Sequence, residues 1–374
     1  MATSQAASSP EESAAAEVEA KMAVLQDAIE RHGLGAIRLR GQDWFAWATC
    51  GGSNAVLLAS EHGVADILVT PEGAWVLTSA IEANRIRTEE VQEAFDVAQF
   101  SWQSTHELES FAREAARSRP IASDLPVGSE VELPVELVAA KRRLGPAEIA
   151  RYREVGRASA TAMTETLSRV TPDTTELEVA GLGAEALWKR GIEPALVLVA
   201  GSRRIDRFRH PRPTADPIGD RVMMVFCGRR HGLYANLTRT AYFRSPTADE
   251  RAAERIVADV EATALNASLP GATLSHVYAE IVAAYERLGR PGAELDHHQG
   301  GTTGYLSREA LATPGSTVEV APPVAMAWNP SLPGCKIEDT ILRTAEGLEL
   351  LTVDPAWPSV EVDGRPRPDL LILG

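Results

Sequence analysis

Apolar positions recur along this chain at two different periods, and the alternation between them predicts its elements. Lys21 to His32 places Met22, Leu25 and Ile29 at helical spacing, and Gly33 follows as a C-terminal stop. Short apolar runs at 36–39, 55–58, 65–69 and 74–77 are separated by turn residues and predict consecutive strands, with Trp44, Phe45 and Trp47 in the piece 43–49 between the first two. Helical patterns over 80–95 and 105–116 come next, followed by a short strand at Ile121 and Ala122 and a Pro- and Gly-rich piece over 124–134. These elements predict an α/β domain over 21–138. Residues 1–20 are rich in Ala, Ser and Glu and are expected to form a disordered tail, because so little apolar surface cannot offset the entropy of ordering it.

A second domain is expected over 139–374. Pro146 suits the first turn of a helix whose stripe of Tyr152, Val155 and Ala158 runs toward Leu167. A second helix over 176–189 follows the cap region Thr174-Thr175, and Leu196 to Ala200 reads as a buried strand. The stretch from Gly219 to Phe243 then reads as a hairpin, with an apolar run Val222 to Cys227, a polar turn Gly228 to Gly232, and a second run Leu233 to Phe243. Helices over 248–266 and 274–288 complete the series.

Composition narrows the function classes. The 374 residues suffice for two domains, each with its own core. A net charge of −15 disfavours nucleic acid and anionic membranes, which are bound by clustered Lys and Arg, and its plainest meaning is solubility. No apolar stretch approaches the length of a membrane span, and the first twenty residues lack the basic start and apolar core of a secretory signal. Three widely spaced cysteines, Cys50, Cys227 and Cys335, fit a reducing compartment, so the expected location is cytoplasmic. No Gly-rich phosphate loop follows a strand, which leaves nucleotide binding without support.

Four motifs carry a resemblance. The hairpin segment Gly-Asp-Arg-Val-Met-Met-Val-Phe-Cys-Gly at 219–228 with Asn-Leu-Thr-Arg-Thr at 236–240 is joined by Asp296-His297-His298-Gln299-Gly300-Gly301, Ala327-Trp328-Asn329-Pro330 and Lys336-Ile337-Glu338-Asp339-Thr340. In this order they resemble the catalytic domain of the pita-bread superfamily, which groups methionine aminopeptidase, aminopeptidase P, prolidase and creatinase. The likeness spans Ala36 to Leu351 in outline and implies an aminopeptidase P-like amino-terminal domain followed by a pita-bread domain of two related αβ halves. It also implies a homodimer in which the amino-terminal domain approaches the neighbour's active site.

Laid on the superfamily's metal ligands, Asp, Asp, His, Glu and Glu, the chain offers Val225, Asn236, one of His297 or His298, Asn329 and Glu338. Valine has no donor and asparagine offers a neutral amide, so three of four negative charges are gone and a dinuclear metal site is not expected. No cofactor is therefore expected. The resemblance places an acid/base histidine at His210, because imidazole takes and gives a proton near neutrality. Expected catalytic groups are His210, His297, His298 and Glu338, the last with a pKa raised by burial unless an imidazolium offsets it. Expected substrate-binding groups are Asn236, Asn329, Tyr305 and Arg308, with Trp44 and Trp47 as either an aromatic wall for a neighbour or domain core. Arg203, Arg204, Arg207 and Arg209 form a basic cluster that reads equally as a carboxylate site or a solvated loop.

The leading expectation is a metal-independent acid/base enzyme acting on a small molecule, most simply hydrolysing a C–N bond as creatinase does. Condensation or cyclisation in biosynthesis uses the same groups. A pseudopeptidase that binds a metabolite or protein, and an Xaa-Pro aminopeptidase with an altered metal site, are the other readings.

Overall fold

The computed structural model describes residues 10–374, with side chains from residue 14 onward. The chain forms two compact units, one comprising residues up to Lys141 with Gly145–Ile149, the other Arg142–Leu144 and Ala150–Gly374.

In the first unit a helix runs Pro10–Arg31, so residues 10–20 of the expected tail are helical; residues 1–9 of that tail lie outside the described residues. Alanine-rich sequence favours the helix, and burial of Val18 holds its start in place. A six-stranded mixed sheet follows, in the spatial order Asp96–Phe100, Gly73–Ser79, His62–Thr70, Ala36–Gly41, Ile121–Ser123, Val131–Glu132. Two expected elements fail within this α/β part. The run 55–58 is a loop with Val56 and Leu57 exposed, since its alternation meets no partner strand among the described residues. The helix expected over 80–95 shrinks to 83–90, because Glu90 turns back to accept hydrogen bonds from the Ser53 N–H at 2.6 Å and Arg85 at 2.8 Å. Trp44 and Trp47 lie on a short helix Gln42–Ala48, packed edge to face at 5.5 Å and 5% and 2% exposed, so within this chain they are core and present no aromatic wall.

The second unit is built from two αβ halves. Helices Pro146–Leu167 and Glu176–Trp188, the latter opened by a capping box on Thr175 and Glu178, share an apolar core with a four-stranded sheet. That sheet has the order Leu371–Ile372, Leu233–Tyr242, Arg221–Arg230, Glu193–Gly201. Helices Ala248–Ala267 and Leu274–Arg287 share another core with a five-stranded sheet ordered Ala310–Leu311, Gly300–Thr303, Val324–Trp328, Asp339–Arg343, Leu348–Leu350. The hairpin strands continue through Gly228 and Arg230, farther than expected, because His231 and Gly232 both take positive φ and reverse the chain in two residues. Its register pairs Val225 with Thr238 and Cys227 with Asn236. An isolated bridge between Thr238 and Glu338, with the Thr238 N–H donating to the Glu338 carbonyl at 3.0 Å, links the two sheets. The functional groups gather at this junction.

Candidate active site

Four loop and strand ends converge on the junction. His210 lies in the loop after Glu193–Gly201, pinned where the Val199 N–H donates to the Pro211 carbonyl at 3.2 Å. His297 and His298 precede the strand Gly300–Thr303, Asn329 follows Val324–Trp328, and Glu338 immediately precedes Asp339–Arg343. The glycines after the histidine pair allow this closeness: a Cβ on Gly301, at φ +156°, would stand 2.0 Å from the Ala310 carbonyl oxygen.

The three imidazoles form one cluster. Nε2 of His297 lies 2.8 Å from Nε2 of His210, and Nδ1 of His297 lies 2.5 Å from the His298 carbonyl oxygen. His298 stacks on His297 at 4.3 Å between ring centres, and its Nδ1 is buried without a partner among the described residues. Burial lowers the pKa of all three below the usual imidazole value, helped by Lys336 for His210 and His297 and by Arg308 for His298. His297 is pushed to about 3 and His298 to about 4, so the cluster is neutral at neutral pH.

Glu338 is occupied by cations. Arg308 donates to its Oε1 at 2.6 Å, the Lys336 ammonium lies 3.0 Å from its Oε2, and the Thr238 hydroxyl donates to Oε2 at 3.0 Å. Burial alone would raise its pKa, but Lys336 and Arg308 overrule it and hold the carboxylate far below its ordinary range. This corrects the expectation of a raised pKa: no imidazolium is involved, and a permanently ionised Glu338 has no proton to give.

A cavity of about 140 Å³ opens against these groups, its lining combining apolar Leu196, Leu198 and Val225 with His210, His298, Asn329, Arg308, Lys336 and Glu338. Asn329 is 1% exposed and its Oδ1 has no partner among the described residues. The Cys227 thiol also lines it, raised to about 12 by burial and by Glu338, so it is protonated and no nucleophile.

A sequence profile described as "Metallopeptidase family M24" matches residues 150–345. The chain belongs to the metallopeptidase family M24. No curated protein sequence matches it. Among solved structures it is similar to an X-Pro aminopeptidase from Thermotoga maritima, at 16% identity and a TM-score of 0.77 over 94% of this chain and 99% of that one. An Xaa-Pro dipeptidase from Bacillus anthracis matches at 18% identity and a TM-score of 0.76, over 95% and 100%. The N-terminal domain of FACT complex subunit SPT16 from Eremothecium gossypii matches at 13% identity and 0.67, over 90% and 96%. These likenesses establish the pita-bread architecture.

The family name implies metal, and the donor set here does not fit a pair of divalent ions. Val225 offers an apolar wall, Asn329 a neutral amide, and both Glu338 oxygens already bind cations. Arg308 and Lys336 against Glu338 leave a net charge of +1 beside neutral imidazoles, which repels a further cation. Among the described residues, His210, His297 and His298 bring ring nitrogens within 4.8 Å of one another, the one grouping able to hold a single ion. Holding one would require breaking the His210–His297 hydrogen bond beside the Lys336 ammonium.

The other expected residues are distributed unevenly. His298 lines the cavity and His297 is buried behind it at 8% exposure. Asn236 is fully buried and donates to the Thr303 hydroxyl at 3.0 Å, and Tyr305 is core at 1% exposure, so neither lines the cavity. The basic cluster is largely neutralised, with Arg203 on Asp216, Arg204 on Glu176 and Arg209 on Asp296, which removes its case as a carboxylate site. Lys336 and Gln299 were missed. Lys336 stood inside a quoted motif, and a lysine two residues before a buried glutamate on an extended segment points to the same side. Gln299 gave no signal beyond its place after the histidine pair.

Proposed function

We propose that this M24 member is a metal-independent acid/base enzyme that hydrolyses a C–N bond in a small molecule. The observation that carries the reading is Glu338 held between Lys336 and Arg308: fixed side-chain cations supply the positive charge at the centre of the cleft. His210 takes and returns the proton, and the His298 ring and the Asn329 amide, which both line the cavity, orient the substrate. Arg308 and Lys336 polarise its carbonyl or amidine and stabilise negative charge as it develops. The cavity of about 140 Å³ suits one small group, and solved neighbours named as Xaa-Pro peptidases cleave C–N amide bonds.

The test is a panel of small amides, amidines and Xaa-Pro dipeptides offered to EDTA-dialysed protein. Turnover without added metal, lost in His210→Ala at unchanged thermal stability, is the expected result. Turnover that appears only with manganese, cobalt or zinc, or that survives intact in His210→Ala, overturns it.

A further inference from the structure

We infer that His297 is a positioning residue that fixes His210 in the tautomer with its proton on Nε2, leaving the Nδ1 lone pair as the one proton acceptor of that ring. The assignment follows from which atoms can donate. A carbonyl oxygen only accepts, so the contact of 2.5 Å between Nδ1 of His297 and the His298 carbonyl requires the hydrogen on Nδ1. A neutral imidazole carries one N–H, so Nε2 of His297 bears a lone pair. The ring nitrogen 2.8 Å away, Nε2 of His210, must then be the donor. Among the described residues His210 has no other hydrogen-bond partner, and it lines the cavity.

His297 can impose this because it is itself held. The Gln299 side chain, fully buried, donates to the His297 carbonyl at 2.6 Å and to the Glu294 carbonyl at 3.2 Å. The Tyr285 hydroxyl presents its one hydrogen between Gln299 Oε1 at 3.3 Å and the Ser331 carbonyl at 3.2 Å. A chain of buried partners thus runs from Tyr285 through Gln299 and His297 to His210. Its direction also sets where a proton stops. Charged groups facing the cluster are Lys336, Arg308 and Glu338, and with His297 buried at 8% exposure and His210 exposed, a positive charge is better solvated on His210. A proton accepted at Nδ1 therefore stays on His210, whose Nε2–H remains bonded to His297 throughout.

The inference rests on His210 being the proton shuttle, but its test reads the tautomer independently of turnover. Full-length protein labelled with ¹⁵N-histidine is examined by long-range ¹H–¹⁵N correlation near neutral pH. The expected spectrum shows His210 with an unprotonated Nδ1 and a protonated Nε2. In His297→Phe, which removes the acceptor, the two His210 nitrogens converge toward an averaged shift and kcat falls about 10²-fold with KM little changed. In His297→Gln, whose amide oxygen restores an acceptor, the wild-type pattern returns. A wild-type His210 protonated on Nδ1, or a pattern unmoved in His297→Phe, overturns the inference. Should His297→Phe fail to fold, the wild-type spectrum alone decides the tautomer. The expected tautomer together with an active His210→Ala enzyme would retain the positioning and discard the proton-shuttle reading; the opposite pair of results would do the reverse.

Discussion

His210 and His297, 87 positions apart in the chain, share a single hydrogen between their Nε2 atoms across 2.8 Å. Two protonated rings cannot occupy that geometry, since each would point a hydrogen at the other. The pair accommodates at most one positive charge, and burial beside Lys336 directs it to the more exposed His210.

That arrangement has a signature in stability against pH. The folded pKa of His297 is depressed to about 3, against about 6.5 in an unfolded chain. Its contribution is complete above about pH 6.5 and is lost as pH falls, because the unfolded chain takes up the proton first. Glu254, raised to about 7 by burial, acts in the opposite sense over part of this range, so the informative quantity is a difference. Urea unfolding of wild type and His297→Gln should show the wild-type advantage shrinking by about 2 kcal/mol between about pH 7.5 and about pH 5. A pH-independent difference would rule out a depressed His297.

The clamp on Glu338 makes its removal worse than removal of either cation. Glu338→Gln leaves Arg308 and Lys336 facing each other in a buried site and should cost about 3–5 kcal/mol. Lys336→Met leaves Glu338 paired with Arg308 and Thr238 and should cost less than half as much. Equilibrium denaturation of the two variants checks the order.

Metal removal should leave the protein unaltered. Elemental mass spectrometry is expected to find well under one ion per chain, and chelation should change neither thermal midpoint nor turnover. One tightly held ion per chain would instead assign the three histidines to it.

Gly301 tests the packing that brings the histidine pair to the cleft. Gly301→Ala combines φ +156° with a 2.0 Å approach to the Ala310 carbonyl oxygen and should cost about 3 kcal/mol or more. Circular dichroism melts would show this as a large drop in midpoint.

Helices in the second unit were legible because their stripes and caps are local: Pro146 opens Pro146–Leu167 and Thr175 caps Glu176–Trp188, as the sequence indicates. The order of the chemical motifs was legible through resemblance. Strand 55–58 and helix 80–95 were misread, because a strand needs a partner and Glu90 was committed to Ser53, 37 positions away. Glu338 shows the same limit at the site. Burial was foreseeable, but its protonation state was decided by Arg308, 30 residues earlier, and by Lys336, whose ammonium reaches the carboxylate only in the fold.

The shortest strand of the four-stranded sheet has a protective role. Leu371–Ile372 pairs in parallel with Ala241 and Tyr242, and the Leu373 N–H donates to the Tyr242 carbonyl at 2.8 Å. It thereby covers the end of Leu233–Tyr242 at Ala241 and Tyr242, on the strand that carries Thr238 to Glu338. Removing the pairing of residues 371–373 by trimming would bare the backbone groups of Ala241 and Tyr242, a short edge able to pair with another chain. Self-association on such trimming would then report an uncovered sheet edge and carry no information about the native assembly.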